Sequence, residues 1–127
     1  MKYLLDTHTA IWALEDKSKL SDAAKAVIDN VSFPLCVSIA SAWEIAIKVS
    51  IGKLTFNGGS PSFLEKMQHN GVELLSIESS HLEHLEHLPF IHRDPFDRLI
   101  VATAKTHSLV IVTSDDNIQK YDVQCVW

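Results

Sequence analysis

Five short apolar stretches recur along the chain, and segments with a helical pattern separate them. Each stretch has the length and composition of a buried β-strand. The predicted strands are residues 2–5, 33–38, 72–77, 109–113 and 123–127. Because strands and helices alternate throughout, the pattern predicts an α/β fold with a central, mainly parallel sheet that is flanked by helices on both faces. It does not define the strand order.

The helical segments differ in how their ends are marked. The helix of residues 40–51 is apolar nearly all round, so we expect it to be largely buried, with Gly52 as its C-terminal cap. Ser60 followed by Pro61 has the form of a helix start. Other helices are predicted over residues 10–14, 21–30, 79–88, 94–107 and 118–121. No repeat or linker divides the chain, which indicates one domain over residues 1–127.

The composition is that of a globular chain rather than a disordered one, with 46% hydrophobic and 21% charged residues. The net charge of -5 argues against a nucleic-acid partner, because phosphates favour basic surfaces. That objection weakens if four of the 16 acidic residues surround a bound cation, since 12 acids then face 11 basic residues. The overall charge therefore does not decide the class of partner.

The sequence shows no pattern of export or membrane insertion. Asp6 follows the first apolar residues too early for a signal peptide, and no uncharged apolar run approaches the ~18 residues of a membrane span. Cys36 and Cys125 lie in predicted strands, where buried free thiols are common. We expect a cytoplasmic protein with no membrane segment.

Residues 92–104 begin with the signals of a helix start and carry two acids there. Asp94 is a suitable N-cap, Pro95 suits the first helical position, and an apolar helix follows. Asp97 lies three residues after Asp94, which brings both carboxylates to one side of the first turn. Asp97 either complements the helix dipole, an effect of ~0.3–1 kcal/mol, or is one ligand of a metal site.

Other acids allow the same two interpretations. Asp6 could cap the helix after the first strand, and Asp115 or Asp116 could be a turn residue after the fourth. Glu44 lies in an apolar helix, where an acid needs a partner or a task, and Lys48 one turn later could be that partner. However, parallel strands end, and the helices that follow them begin, at the edge of the sheet where ligands bind. All these acids could converge there.

Four carboxylates in one place would repel each other, since like charges at close range resist joint ionisation. A hard divalent cation would relieve that repulsion, and all-oxygen ligation favours Mg²⁺ or Mn²⁺ over zinc. Such an ion, holding several waters and few carboxylates, is the usual arrangement for phosphoryl chemistry. If the acids converge, they therefore predict metal-assisted chemistry on a phosphate.

Residues 81–87 contain three histidines in steps of three, which also suggests a metal site. No window matches the His-Glu-x-x-His spacing of the zinc proteases. The steps carry His81, His84 and His87 gradually round the helix, while leucines supply its buried side. We interpret these histidines as a solvated face.

Four motifs, taken in this order, resemble those of the PIN-domain nucleases. They are LLDTH at residues 4–8, SAWEIAIK at 41–48, HRDPFDRL at 92–99 and VTSD at 112–115. The subgroup is similar to the VapC-type toxins of prokaryotic toxin–antitoxin pairs, and the resemblance covers essentially the whole chain. It implies a three-layer α/β sandwich and Mg²⁺- or Mn²⁺-dependent endoribonuclease activity, in which a metal-activated water cleaves RNA.

The resemblance assigns Asp6, Glu44, Asp97 and Asp115 to an acidic quartet that holds the metal. Asp115 is preferred to Asp116 because it lies two residues after the threonine. By the same resemblance, we expect a homodimer and a cognate VapB-like antitoxin.

Several neighbours of the quartet are candidate supporting residues. Asp94 is either a helix cap or an acid that supports the ligands. Thr113 or Ser114 could donate a hydrogen bond to a ligand carboxylate, and Asp116 is the alternative to Asp115. Arg98 could contact phosphate, pack in the fold or pair with Asp94.

Two other functions remain open. A non-catalytic PIN module would bind protein or RNA, and the intact quartet disfavours it. A phosphate-signalling receiver domain has a similar sheet, but it needs a lysine directly after a late strand, and none follows residues 112–113.

Overall fold

Five strands and seven helices alternate along a computed structural model that describes residues 1–127. The strands are β1 Tyr3–Leu5, β2 Leu35–Ser38, β3 Glu73–Leu75, β4 Val110–Val112 and β5 Cys125–Val126. The helices are α1 Thr7–Glu15, α2 Asp22–Asp29, α3 Ile39–Ser50, α4 Gly59–His69, α5 Ser79–Glu86, α6 Pro95–His107 and α7 Asp116–Gln119. A 3₁₀ turn at Lys17–Lys19, which the sequence pattern did not predict, follows α1.

All strand pairs in the sheet are parallel, and their order is β3-β2-β1-β4-β5. The chain adds β2 and β3 on one side of β1 and then crosses to add β4 and β5 on the other. Leu5 at the end of β1 is registered with Val37 of β2 and Val112 of β4. The boundary between β1 and β4 is therefore the topological switch point, where a crevice opens at the carboxyl ends of the strands.

The two faces of the sheet are buried in separate cores, because successive side chains of a strand point to opposite faces. Leu5, Val37 and Val112 lie in a core that includes residues of α1 to α4. Leu4 and Ile111 lie in a second core with residues of α6 and α7. These two cores confirm the three-layer α/β sandwich.

The helix α3 is less buried than its composition predicts. Trp43, Ile47 and Ile51 are 55%, 37% and 58% exposed, so one apolar stripe faces outward and the prediction of a largely buried helix was wrong. The Trp43 ring packs edge-on against Phe96 in the first turn of α6, with ring centroids 5.1 Å apart. The C-cap of the helix is Ile51, and Gly52, which was predicted as the cap, follows it with φ of 74°.

The start of α4 also differs from the predicted one. Gly58 precedes the helix with φ of 83°, and no side chain caps the first turn. Ser60 and Pro61 lie inside that turn rather than before it. The left-handed Gly58 backbone, which suits glycine better than other residues, therefore replaces the expected cap.

No helix in the structure combines the length and apolar character needed to cross a membrane. Both cysteines are free thiols, with Cys36 buried in β2 and Cys125 partly buried in β5. The Cys36 thiol donates a hydrogen bond to the carbonyl of Tyr3 (3.3 Å), and burial raises the pKa of the thiol to about 12.

Candidate metal centre

Two acids of the predicted quartet lie on either side of the switch point. Asp6 follows β1, and its Oδ1 accepts the backbone N–H of Thr9 (2.9 Å), so it caps α1. Asp115 follows β4, and its Oδ1 accepts the N–H groups of Asn117 (2.8 Å) and Ile118 (3.2 Å), so it caps α7. The cap predicted for Asp6 is confirmed, and Asp115, predicted as a turn residue, is a cap as well. Each of these acids retains a second carboxylate oxygen for another partner.

Thr113 joins these two acids. Its hydroxyl donates a short hydrogen bond to Oδ2 of Asp6 and accepts the N–H of Asp115 (3.0 Å). Ser114 and Asp116, the other two candidates in this loop, are exposed. Of the four loop residues considered, Thr113 and Asp115 are thus the ones connected to Asp6.

Glu44 has one partnered and one unpartnered oxygen. The residue is only 3% exposed, and its Oε2 accepts a hydrogen bond from Nζ of Lys48 (2.6 Å). Its Oε1 is buried without a hydrogen-bond partner. A buried carboxylate oxygen without a donor is costly, and the ion pair with Lys48 satisfies only one of the two oxygens of Glu44.

Asp97 has a strongly raised pKa. The pKa of Asp97 is raised to about 7, first by burial and then by the negative charges of Asp94, Asp115 and Glu44. A hydrogen bond from His92 (Nε2–Oδ2, 3.2 Å) acts in the opposite direction. The structure therefore brings Asp97 into the electrostatic field of two other quartet members and Asp94.

The other charged groups at this edge respond to the same field. Burial raises the pKa of Asp6, against the hydrogen bonds from Thr113 and Thr9 that lower it. The hydrogen bond to Glu44 raises the pKa of Lys48, and the charges of Asp94 and Asp97 add to that effect. Lys48 thus offsets part of the negative charge, but one ammonium faces several carboxylates.

Asp94 and Arg98 have structural partners. Oδ1 of Asp94 accepts the N–H groups of Phe96 (2.9 Å) and Asp97 (3.0 Å), so Asp94 is the N-cap of α6. The Arg98 guanidinium is buried, lies 4.5 Å from the Phe90 ring centroid and donates to the carbonyl of Pro89 (2.9 Å). Of the three interpretations of Arg98, the structure shows packing, without an ion pair to Asp94.

The donor set at this edge is suited to a hard cation, since all four quartet members supply carboxylate oxygens and one of these oxygens is buried without a donor. Such a set is compatible with Mg²⁺, which usually keeps several waters and binds only one or two carboxylates directly. A second group of possible metal ligands, Glu78, His81 and His107, has its ligand atoms within 4.8 Å of one another.

Hydrogen bonds within the protein account for the clustering of Glu78, His81 and His107. His81 is 1% exposed, and its Nδ1 accepts the N–H of Glu78 (3.2 Å), so the ring proton lies on Nε2. That Nε2–H points at Nε2 of His107 (2.8 Å) and leaves no lone pair on the His81 Nε2 for a metal. The predicted solvated face therefore holds for His84 and His87, which are exposed, but was wrong for His81.

The PIN-domain family model matches residues 3–124 of the chain. The chain belongs to the PIN-domain family. Its relatives include ribonuclease VapC22 of Mycobacterium tuberculosis, which is 30% identical over 93% of this chain and 90% of that protein. Ribonuclease VapC16 of the same organism is 36% identical over 47% of this chain and 43% of its own length. These matches confirm the resemblance to the VapC type.

A solved structure has the same fold as this PIN domain. The structure of VapBC2 from Rickettsia felis, bound to a DNA fragment from its promoter, matches 98% of this chain and 97% of that chain with a TM-score of 0.73. The sequence identity is 16%, so the comparison concerns the fold alone.

Sequence reasoning missed one contact at the acidic edge of the PIN domain, the hydrogen bond between His92 and Asp97. His92 lies within the HRDPFDRL motif, yet the motif was interpreted only through its acids and Arg98. The signal was the position of His92 two residues before Asp94, the cap of α6, where the incoming loop can fold back on the first turn. The role of Tyr121 had no such signal, because it lies 29 residues further along the chain.

Proposed function

We propose that this PIN domain is a divalent-metal-dependent endoribonuclease and the toxin of a type II toxin–antitoxin pair, acting as one domain over residues 1–127. Asp6, Glu44, Asp97 and Asp115 would hold Mg²⁺ or Mn²⁺. The observation that carries the proposal is the pKa of Asp97, which burial and three neighbouring carboxylates raise to about 7. The fold holds several mutually repelling carboxylates close together, and its own ammonium and guanidinium groups do not balance their charge. Such an arrangement favours a bound cation.

The buried, unpartnered Oε1 of Glu44 is independent support, because it is a ligand-type atom with no donor from the protein. When bound, the cation would supply a water of lowered pKa and neutralise charge on the phosphate. The chain's own residues would hold the carboxylates in place: Thr113 orients Asp6, and Lys48 orients Glu44. A carboxylate that the cation does not occupy would accept the proton of the attacking water.

The names of the relatives support the substrate and the partner. VapC16 and VapC22 are named as ribonucleases, and the VapBC2 structure is a complex on promoter DNA. We therefore propose RNA as the substrate, a cognate VapB-like antitoxin as the inhibitory partner, a homodimeric assembly and a cytoplasmic location.

The test is cleavage of RNA by the purified protein with Mn²⁺, comparing wild type with Asp97→Asn. We expect Asp97→Asn to lose at least ~100-fold in cleavage rate, which is typical when a group that stabilises charge in the transition state is removed. Asp22→Asn is the matched control, because Asp22 is also an acid in the first turn of a helix but lies on α2. Equal cleavage by wild type and Asp97→Asn would exclude the proposed site.

A non-catalytic PIN module would give a different result in the same assay. RNA would be bound but would stay intact with Mn²⁺ or Mg²⁺, in wild type and in both variants. That outcome would contradict the enzymatic proposal while leaving the fold assignment in place.

A further inference from the structure

A closed chain of hydrogen bonds lies behind Asp97. His92 contacts Oδ2 of Asp97 through Nε2 (3.2 Å) and the hydroxyl of Tyr121 through Nδ1 (2.9 Å). The Tyr121 hydroxyl is in turn 3.0 Å from Nη1 of Arg98, the residue that follows Asp97 on α6. Nη1 also donates to the carbonyl of Pro89. This chain of hydrogen bonds thus starts at Asp97 and ends at Arg98, which are adjacent residues of α6.

Arg98 fixes the direction of one hydrogen bond in this chain, and the pairing of the remaining polar hydrogens favours one direction for the others. Arg98 can only donate, so the Tyr121 oxygen accepts from it and the Tyr121 hydroxyl proton is available for His92 Nδ1. With Nδ1 accepting, the proton of the neutral imidazole lies on Nε2 and is donated to Asp97. In this arrangement every polar hydrogen of the chain of hydrogen bonds has an acceptor, whereas an Nδ1–H tautomer of His92 would leave the Tyr121 hydroxyl proton without a partner there and turn the Nε2 lone pair toward the ionised Asp97 carboxylate.

The geometry also leaves one oxygen of Asp97 free. His92 is the side-chain donor to the Asp97 carboxylate, and it contacts Oδ2, so Oδ1 makes no hydrogen bond within the protein. A single donor on one oxygen orients a carboxylate while the other oxygen stays open to a ligand. Hydrogen-bonded partners of this kind orient the carboxylate and imidazole ligands of metal sites.

The surrounding residues hold this chain of hydrogen bonds rigid. Tyr121 is 4% exposed and Arg98 is 8% exposed, so neither can easily change partners with water. The Arg98 guanidinium is packed 4.5 Å from the ring centroid of Phe90, in the loop that leads from α5 to His92. The position of His92 is therefore set by α6 itself, through Arg98 and Tyr121.

We propose that His92, held in its Nε2–H tautomer by Tyr121 and Arg98, is the positioning residue that orients Asp97 toward a cation at the acidic edge. This role rests on the proposed function, in which Asp97 is a ligand. His92 itself touches neither metal nor substrate in this role, and it acts only through the Asp97 carboxylate.

The first test is the tautomer of His92, which does not depend on activity. We expect the imidazole nitrogens in ¹⁵N-resolved NMR spectra at pH 8 to show a proton on Nε2 and none on Nδ1. Tyr121→Phe removes the donor to Nδ1 and should give a mixture of tautomers. A wild-type ring protonated on Nδ1 would overturn the proposal.

The second test is the affinity for Mn²⁺, measured by calorimetry on the full chain. His92→Phe removes the donor, and we expect about 10- to 100-fold weaker binding, the usual effect of losing such a partner. His92→Gln places an amide N–H₂ close to the position of the imidazole Nε2 and should restore most of the affinity. His87→Phe is the control, because His87 is exposed and outside the chain of hydrogen bonds.

The outcomes separate this inference from the proposed function. If wild type and Asp97→Asn bind Mn²⁺ equally, the proposed function fails. If Asp97→Asn loses affinity while His92→Phe keeps it and merely melts at a lower temperature, the positioning role fails alone. Recovery of affinity in His92→Gln would distinguish positioning from a general structural role.

Discussion

The two ends of α6 lie beside polar clusters of opposite character. At its start, Asp97 shares the edge of the sheet with three other carboxylates that raise its pKa. Near its end, about 15 Å away by helical rise, His107 accepts a hydrogen bond from the buried His81. In the sequence, Asp97 was a candidate metal ligand, whereas His81 belonged to a run of histidines that suggested a metal site but was interpreted as a solvated face.

The difference between the ends lies in how completely their polar atoms are paired. The His81 ring is satisfied by Glu78 on one nitrogen and His107 on the other. Glu44 at the acidic edge has an unpartnered buried oxygen, and only Lys48 pairs with it. A satisfied buried group needs nothing further, whereas an unsatisfied carboxylate oxygen among like charges is suited to bind a cation. Pairing, more than residue type, distinguishes the two candidates.

The two ends should also respond to pH in opposite directions. Asp97 has a raised pKa in the folded state, so the fold is most stable where Asp97 is protonated and loses stability as the pH rises from about 4 to about 7. Burial lowers the pKa of His81, so the fold loses stability as the pH falls below the usual histidine value of 6.5.

Mn²⁺ should produce the largest change in stability. At 100 times its dissociation constant, a ligand that binds only the folded state adds ~2.7 kcal/mol to the free energy of unfolding. We therefore expect the wild-type melting temperature to rise with Mn²⁺, and the rise to be much smaller in Asp97→Asn. An unchanged wild-type melting curve would show that the acidic edge does not bind the ion.

Asp97→Asn should stabilise the metal-free protein at pH 8 by on the order of 1–3 kcal/mol, because one unit of pKa corresponds to ~1.4 kcal/mol and coupling among the acids reduces the sum. The loss of a favourable helix-dipole interaction, ~0.3–1 kcal/mol, is smaller. Urea unfolding at pH 8 and pH 4.5 measures both effects, and the gain should nearly vanish at pH 4.5. Destabilisation at pH 8 would mean that Asp97 is only a dipole-complementing acid.

His107→Ala should cost about 1 kcal/mol of stability, the lower part of the ~1–3 kcal/mol range for leaving a buried donor unpaired, because water can reach the exposed His107 position. RNA cleavage and Mn²⁺ affinity should not change. His87→Ala is the matched control and should stay within ~0.5 kcal/mol of wild type. Loss of cleavage in His107→Ala would contradict the purely structural role of this end.

Asp94→Ser should have the smallest effect. Serine is as good an N-cap as aspartate, so the free energy of unfolding should change by less than ~0.5 kcal/mol, whereas Asp94→Ala should cost ~1 kcal/mol. RNA cleavage should stay within about tenfold of wild type for Asp94→Ser. A loss as large as that of Asp97→Asn would make Asp94 a fifth acid of the site rather than a cap.

The sequence predicted the fold well where the physics is local. Alternating strand and helix patterns indicated the parallel sheet, and Asp94 with Pro95 marked the start of α6, as the structure confirms. The sequence-based prediction was less accurate where tertiary packing decides which side chains are buried. The apolar composition of α3 did not reveal that Trp43 and Ile51 face outward. Likewise, the periodicity of residues 81–87 did not show that one histidine turns inward toward α6.

By itself, the sequence determined which acids are available at the carboxyl edge of the sheet, because strand ends and helix starts are readable from local pattern. Only the tertiary structure decided what surrounds Asp97. The switch point between β1 and β4 brings Asp6 and Asp115 together through Thr113, and Tyr121 reaches His92 from 29 residues away. Hydrogen-bond partners and pKa shifts depend on distances between segments that are remote in sequence, and no local pattern contains those distances.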